Sequence, residues 1–102
     1  MNNTIYSFKS DSEFFRDEQS GLKNNTARQI DISDERFQEL LKDWKSQNYG
    51  FIRISMAEMS GQGFHLATEK EPDKDYSFVR KIRHIAVYKN LMIITWEFIL
   101  PL

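Results

Sequence analysis

Residues 79–100 of the chain read VRKIRHIAVYKNLMIITWEFIL, and this stretch decides the fold class. Its two halves, 79–88 and 91–100, are rich in β-branched and aromatic residues, which favour strands. Lys89 and Asn90 between them have the length of a two-residue turn, and Asn tolerates the positive φ of such turns. The sequence therefore predicts a long antiparallel hairpin, whose second strand is apolar on both faces at its start, as in a central strand.

The clearest helix signal lies upstream of the hairpin, over residues 34–47. Apolar residues there follow the helical spacing i, i+3, i+4, i+7, and these residues are Phe37, Leu40, Leu41 and Trp44. The stripe predicts a helix that packs these four side chains against the sheet, with Ser33 as its N-cap.

Shorter patterns complete the predicted order of elements. Runs of strand length and strand-like composition cover 4–9, 27–32, 50–57 and 64–68. Ser10 stands three residues before Glu13, as in a capping box, so a short helix is predicted through Gln19, and Gly21 suits its left-handed end. The sequence thus predicts one α+β domain over 1–102, a small, mostly antiparallel β-barrel with two helices.

Composition excludes several classes of protein. The chain has no cysteine, which excludes disulfide scaffolds and thiol nucleophiles, and its two histidines are too few for a three-histidine metal centre. We therefore expect no metal and no cofactor.

The net charge of −1 gives no long-range attraction to nucleic acid or membranes. No signal-peptide pattern is present, and the longest apolar-rich stretch, 91–102, is shorter than the ~20 residues of a membrane helix, so we expect a cytoplasmic domain without membrane contact.

The candidate site lies in residues 21–28, which read GLKNNTAR. Thr26 and Arg28 face the same side of a strand because side chains alternate with a period of two, and Lys23 reaches over that face from the loop. A hydroxyl between two cations can hold an anion or nucleotide, or act as a weak nucleophile beside a base. We expect Lys23 and Arg28 to be largely solvent-accessible. A solvated loop with a threonine at the start of a strand is the simpler interpretation.

The same residues resemble the hallmark motif of ASCH domains, which belong to the PUA-like superfamily. In that motif a helix is followed by Gly-x-Lys, by an acidic residue or Thr three places after the Lys, and by Arg two places further. The matching residues are Gly21, Lys23, Thr26 and Arg28. Residues 79–85 also resemble the strand that precedes the last apolar strand of these domains. The resemblance implies a β-barrel of five or six strands whose cleft faces RNA or nucleoside-like ligands.

One enzymatic branch of that family, the small N4-acetylcytidine amidohydrolases, uses a Lys, a Thr and a Glu. Its Thr lies three residues after its Lys, so the resemblance implies Lys23 as the activating group and Thr26 as the nucleophile. The sequence departs from the family at Gly50, which lacks the usual following Asp, and no Glu matches the third catalytic residue. The candidates for that carboxylate are Glu58, Glu69 and Glu97.

A second basic run, residues 80–84, adds candidate phosphate contacts. Arg80 and Arg83 point to opposite faces of a strand, yet together with Lys9 and the motif cations they can ring a cleft. The alternative interpretation is an edge strand whose charges prevent pairing with another sheet.

Three functions stay open on these observations. The first is a binder of RNA or a nucleoside-like small molecule, and its contact residues are Lys23, Thr26, Arg28, Arg80 and Arg83. The second is an amidohydrolase acting on an N-acylated nucleoside such as N4-acetylcytidine, with Thr26 as nucleophile and Lys23 as base. The third is a small phage-type protein-interaction or regulatory module, in which the hairpin or its edge meets a protein. Without an assignable carboxylate, the sequence favours the binder.

Overall fold

The structure, a computed structural model, describes residues 1–97. Its elements are β1 (Ile5–Ser10), α1 (Ser12–Ser20), β2 (Asn25–Gln29), α2 (Glu35–Ser46), β3 (Phe51–Met56), a 3-10 turn (Ala57–Met59), β4 (Asp73–Lys74), β5 (Ser77–Tyr88) and β6 (Leu91–Trp96). The fold is α+β with two helices, as the sequence predicts. Among the described residues, no helix is long and apolar enough to cross a membrane.

The strands form one curled sheet in the order β1-β3-β5-β6-β2, with the short β4 paired to β5. β1 and β3 run parallel, whereas the other pairings are antiparallel. Parallel neighbours need a long crossover, and the chain supplies one through α1, β2 and α2. The expected mostly antiparallel barrel is therefore corrected to a mixed sheet that curls into a half-barrel.

The sheet curls at β5, because the first part of this strand pairs with β3 and the second part pairs with β6. Residues 77–81 pair with β3, whereas residues 82–88 pair with β6. The register shifts between Ile82 and His84, next to the point where the partner of β5 changes from β3 to β6. An irregularity of this kind bends a strand and increases its twist, which lets a single long strand turn the corner of the half-barrel.

The predicted hairpin is present as the antiparallel pair β5–β6. At its turn Lys89, rather than Asn90, takes the left-handed conformation, with φ of 55°. The strand predicted over 91–100 is formed from Leu91 to Trp96, and residues 98–100 of that prediction lie outside the described residues.

Each of the two helices begins one residue later than the sequence predicts. Ser10 is the last residue of β1, so it cannot cap α1, and the Glu58 carboxylate instead accepts the backbone N–H of Ser12 at 3.0 Å. Hydrogen bonding with Ser12, first through its side chain and then through its backbone N–H, lowers the pKa of Glu58. The N-cap of α2 is Asp34 rather than Ser33. Gly21 ends α1 in the left-handed conformation, as expected.

The inner face of the sheet and one face of each helix enclose the core. Its most deeply buried side chains are Phe15, Leu40, Ile52, Ile54, Phe78, Ile82, Ile85, Met92, Ile94 and Trp96. Phe37 of α2 is also buried, whereas Leu41 and Trp44 are half-buried at the edge of the same core. The predicted stripe therefore packs as a helix face, with two of its four residues at the centre. The predicted strand over 64–68 is irregular chain instead.

We expect Leu40→Ala to lower the free energy of unfolding by ~2–5 kcal/mol, because a fully buried leucine leaves a cavity. Leu41→Ala removes the same atoms from a half-buried position and should cost clearly less. Urea denaturation followed by tryptophan fluorescence measures both. Equal losses in the two variants would contradict the packing of α2 described here.

Candidate functional site

A single side chain joins the two strands that lie at the ends of the sheet order. Arg28 on β2 donates from Nη2 to the backbone carbonyl of Lys9 at 2.9 Å and to the hydroxyl of Ser10 at 3.2 Å, both on β1. Its Nε donates to Oγ1 of Thr26, two residues earlier on the same strand, at 2.9 Å. The Arg28 guanidinium therefore bridges the seam of the half-barrel.

Arg28 is half-buried at this seam, which corrects the expectation that it is largely solvent-accessible. Its Cζ lies 5.1 Å from the centre of the Phe8 ring, close enough for a cation–π interaction. Burial lowers the pKa of Arg28, and the nearby Glu18 carboxylate acts in the opposite direction. An arginine guanidinium nevertheless stays charged in proteins, so a positive charge is held at the seam.

A cleft of about 700 Å³ opens beside the seam. Its walls come from β1, β2, β3, the start of α2 and the loop that follows the 3-10 turn. Four cations line it, namely Lys9, Arg28, Arg36 and Arg53. No carboxylate of residues 1–97 is among its lining side chains, so the cleft has one sign of charge.

The parallel pairing of β1 with β3 places the polar groups of the cleft. Ser7 lies opposite Arg53, and Lys9 lies opposite Ser55. Because side chains alternate along each strand, these four residues share the outer face of the sheet, opposite the core. The register of one strand pair therefore brings together two cations and two hydroxyls from distant parts of the chain.

Backbone acceptors fix two of the cleft arginines. Arg53 donates from Nε to the carbonyl of Ala67 at 2.9 Å and from Nη1 to the hydroxyl of Ser7 at 3.2 Å. Arg36 donates to the carbonyl of Ser7 and pairs with the Asp34 carboxylate, whose pKa it lowers. The charge of Arg36 is thus partly offset, whereas the neutral partners of Arg53 orient it without offsetting its charge.

A second cavity of about 370 Å³ adjoins the cleft, because Lys9 and Arg28 line both. This cavity brings together Lys23, Thr26 and Arg28, the residues singled out in the sequence. Thr26 is buried, and Lys23 is more exposed, with 39% of its side-chain surface accessible. The structure therefore places the three motif residues around one small cavity beside the larger cleft.

The second cavity also contains a carboxylate that the sequence analysis missed. Glu18 of α1 is only 1% exposed, and its Oε2 lies 3.4 Å from Nζ of Lys23. Its other oxygen, Oε1, has no hydrogen-bond partner within residues 1–97. A sequence signal was present, because Glu18 lies three residues after the buried Phe15 and so shares the inner face of the helix.

The carboxylates proposed from the sequence lie elsewhere. Glu58 caps α1, Glu97 pairs with Arg83 at 3.3 Å, and Glu69 is exposed in the loop before β4. Within the described chain, none of these three lines the cleft or the second cavity. Glu18 is therefore the glutamate that the structure brings to the motif residues.

Arg80 and Arg83 are not brought to the other candidate residues. Arg80 is buried and donates to the carbonyl of Gln19 at 3.0 Å and to Asp73 at 2.8 Å, which ties α1 to the segment before β5. Arg83 is exposed and pairs with Glu97. The basic run spans the point where the partner of β5 changes from β3 to β6, so the edge-strand interpretation of this run stays a prediction.

A scan against models of known protein families finds no match to this chain, and a search of curated proteins finds no similar sequence. Within residues 1–97, no group of three or more His, Cys, Asp or Glu side chains is placed to hold a metal ion. The charge and shape of the two adjoining cavities are therefore the features of residues 1–97 that bear on function.

We expect Arg28→Gln to lower the free energy of unfolding by ~2 kcal/mol or more, because the bonds across the seam are hydrogen bonds from a charged group. Arg83→Gln, an exposed arginine on β5, is the matched control and should change it by less than ~0.5 kcal/mol. Chemical denaturation measures both. If the two variants were equally stable, the seam would not depend on Arg28.

Proposed function

We propose that this domain binds RNA or a nucleotide-like small molecule in the 700 Å³ cleft. The observation that carries the proposal is the charge of that cleft, which is lined by four cations and, among residues 1–97, by no carboxylate. The net charge of the chain is −1, so this concentration of positive charge is local. A cleft lined by one sign of charge concentrates the field and attracts phosphate groups.

The fixed position of Arg53 supports the same proposal. Its hydrogen bonds to Ala67 and Ser7 orient the guanidinium before any ligand arrives. A preoriented donor loses little side-chain entropy on binding, and guanidinium groups match the geometry of phosphate oxygens. Arg53 is therefore the cleft cation we expect to contribute most to phosphate binding.

An aromatic residue in the cleft supports a ligand that carries a base. Phe64 lines the cleft and follows Gly61 and Gly63, whose φ values of 82° and 71° shape a loop that few other residues could form. Its ring contacts Tyr76 edge-on, with centroids 5.6 Å apart. Because nucleobases stack on aromatic rings, we propose Phe64 as the stacking surface for a base.

The motif residues extend this proposal to the adjoining cavity. Lys23 and Thr26 line that cavity, which shares Lys9 and Arg28 with the cleft. The resemblance to ASCH domains implies a cleft that faces RNA or nucleoside-like ligands. We propose an ASCH-like binding module of that kind, built on the half-barrel of this chain.

Fluorescence anisotropy with a short labelled single-stranded RNA, and with labelled nucleotides, tests the binding function. We expect binding at low ionic strength that weakens steeply with added salt, because phosphate contacts release counterions. Arg53→Gln should weaken binding by ~10-fold or more, the loss typical of a hydrogen bond to a charged group. Lys45→Gln, an exposed cation on α2, should leave it unchanged.

Thermal denaturation of both variants shows whether they are folded. A folded wild-type protein that binds neither RNA nor nucleotides would refute the proposed function and move a protein-interaction module to first place. Equal weakening by Arg53→Gln and Lys45→Gln would refute the cleft as the binding site.

The presence of Glu18 favours a second candidate function, an amidohydrolase acting on an N-acylated nucleoside such as N4-acetylcytidine. The second cavity holds a hydroxyl, an amine and a carboxylate, as that chemistry requires. In this function Oγ1 of Thr26 would attack the acyl carbon while Lys23 accepts the hydroxyl proton. The C–N bond to the amino group of the base would then break as that proton passes to the leaving nitrogen, and water would hydrolyse the acyl-threonine ester to release the acid. The ion pair with Glu18 makes Lys23 a hydrogen-bond donor in the structure, which suits binding better than proton abstraction, so the binder remains first.

Thr26→Val separates the two functions because it removes the hydroxyl and keeps the shape. We expect no cytidine release from N4-acetylcytidine by the wild-type protein, measured by chromatography. We also expect at most ~10-fold weaker nucleotide binding by the variant, the loss of about one hydrogen bond. Turnover by the wild type that falls by several orders of magnitude in Thr26→Val would establish the enzyme instead.

A further inference from the structure

Three arginines from different elements converge on the middle of β1. Arg36 donates to the carbonyl of Ser7, and Arg53 donates to the hydroxyl of the same residue. Arg28 donates to the carbonyl of Lys9. All three guanidiniums line the cleft, and we call them the arginine cluster. The cluster brings three positive charges to a short segment of one strand at the end of the sheet.

Two members of the arginine cluster also share one aromatic ring. The Cζ atoms of Arg36 and Arg28 lie 4.4 Å and 5.1 Å from the centre of the Phe8 ring. Like charges held at one ring repel each other. Burial lowers the pKa of Arg28, and the charge of Arg36 lowers it further. An anion bound at the cluster relieves this repulsion.

The carboxylates that face the arginine cluster lie outside the cleft. Asp34 pairs with Arg36, and Glu18 acts on Arg28 from the second cavity. Neither carboxylate lines the cleft, and Arg53 has only neutral hydrogen-bond partners within residues 1–97. Arg36 keeps 43% of its side-chain surface accessible. The cluster therefore presents positive charge to the cleft.

Donors remain in the arginine cluster after its internal hydrogen bonds are formed. Arg28 uses Nε and Nη2 for its contacts with Thr26, Lys9 and Ser10, and its Nη1 has no partner within residues 1–97. Arg53 uses Nε and Nη1, and its Nη2 has no partner in the same part of the chain. A ligand in the cleft can therefore accept hydrogen bonds from groups that the fold does not use.

The open edge of β1 adds a backbone donor to these groups. The Phe51 N–H donates to the carbonyl of Thr4, so alternate residues from Thr4 onward turn their peptide groups to β3. The residues between them, Ser7 and Lys9 among them, turn theirs to the opposite edge, which has no strand partner. Along that edge the Lys9 N–H lies between the two carbonyls that accept from the cluster.

We infer that the arginine cluster binds a terminal phosphate, the phosphomonoester at an end of an RNA chain or on a free nucleotide. The inference rests on the proposed function and adds to it the kind of phosphate that the cleft recognises. A phosphomonoester has three free oxygens and roughly two negative charges near pH 7, whereas an internal phosphodiester has two free oxygens and one charge. Three guanidiniums and a backbone N–H match the phosphomonoester better.

The cleft has room for the rest of the nucleotide. Its volume of about 700 Å³ is within the ~300–1,000 Å³ usual for small-molecule pockets. Phe64, the proposed stacking surface, lines the same cleft as the arginine cluster. A nucleotide whose phosphate contacts the cluster can therefore place its base toward Phe64.

Fluorescence anisotropy with short labelled RNAs tests the inference. The RNAs carry a 5′-phosphate, a 3′-phosphate or hydroxyl groups at both ends, and a hydroxyl-ended RNA two nucleotides longer matches the total charge of the phosphorylated ones. We expect at least one phosphorylated RNA to bind ~10-fold more tightly than both hydroxyl-ended RNAs, as for hydrogen bonds to a charged group. Arg36→Gln should remove most of this preference. Lys42→Gln, another exposed cation of α2 with a carboxylate partner, should keep it.

The wild-type comparison decides the question even if Arg36→Gln does not fold. Equal binding of the phosphorylated RNAs and the charge-matched RNA, with all of them weakened by Arg53→Gln, would overturn the terminal-phosphate site and leave the cleft as the RNA-binding site. A preference that a folded Arg36→Gln variant keeps would also overturn it. Failure of every RNA and nucleotide to bind would overturn the proposed function itself, and the terminal-phosphate site with it.

Discussion

The hydrogen bonds from Arg28 to Lys9 and Ser10 hold together the two ends of the curled sheet. β1 and β2 do not pair with each other, so these side-chain bonds take the place of a strand ladder at the seam. Both cavities use the seam as a wall, because Arg28 and Lys9 line each of them. The closure of the fold and the formation of the candidate site therefore depend on the same guanidinium.

The charge of the site follows from how each cation is held. Arg28, Arg36 and Arg53 all donate to backbone carbonyls, which fix a guanidinium without cancelling its charge. Only Arg36 of these three also has a carboxylate partner within the described chain, Asp34. A fixed array of donors in a partly water-excluded cleft binds an anion at low entropic cost. Under the proposed function, this local array would let a chain with a net charge of −1 bind a phosphate group.

Local patterns in the sequence predicted the parts of the fold that depend on near neighbours. The β5–β6 hairpin, α2 and the left-handed Gly21 follow from composition, helical spacing and conformational preference. The parallel β1–β3 pair was not predictable in this way, since it joins residues more than 40 positions apart through a crossover. The prediction that Ser10 caps α1 was wrong because Ser10 is the last residue of β1.

The same distinction applies to the site. Lys23, Thr26 and Arg28 are close in the sequence, and they do line one cavity. Arg53 reaches the cleft through the register of β1 with β3, so no spacing in the chain predicts it. Glu18 precedes the motif, and its role depends on how α1 packs. Arg80 shows the opposite case, a residue that the sequence singles out as a candidate contact but that the structure uses internally. It is buried and donates hydrogen bonds to Gln19 and Asp73.

The central claim is that the cleft binds RNA. A nitrogen-15 correlation spectrum recorded during titration with a short single-stranded RNA tests this claim most directly. The largest shifts are predicted for the backbone amides of residues 7–9, 53–55 and 60–66 and for the Nε–Hε groups of Arg28 and Arg53, which surround the cleft. Shifts concentrated in residues 80–84 with the cleft signals unchanged, or a spectrum unaffected by excess RNA, would contradict it.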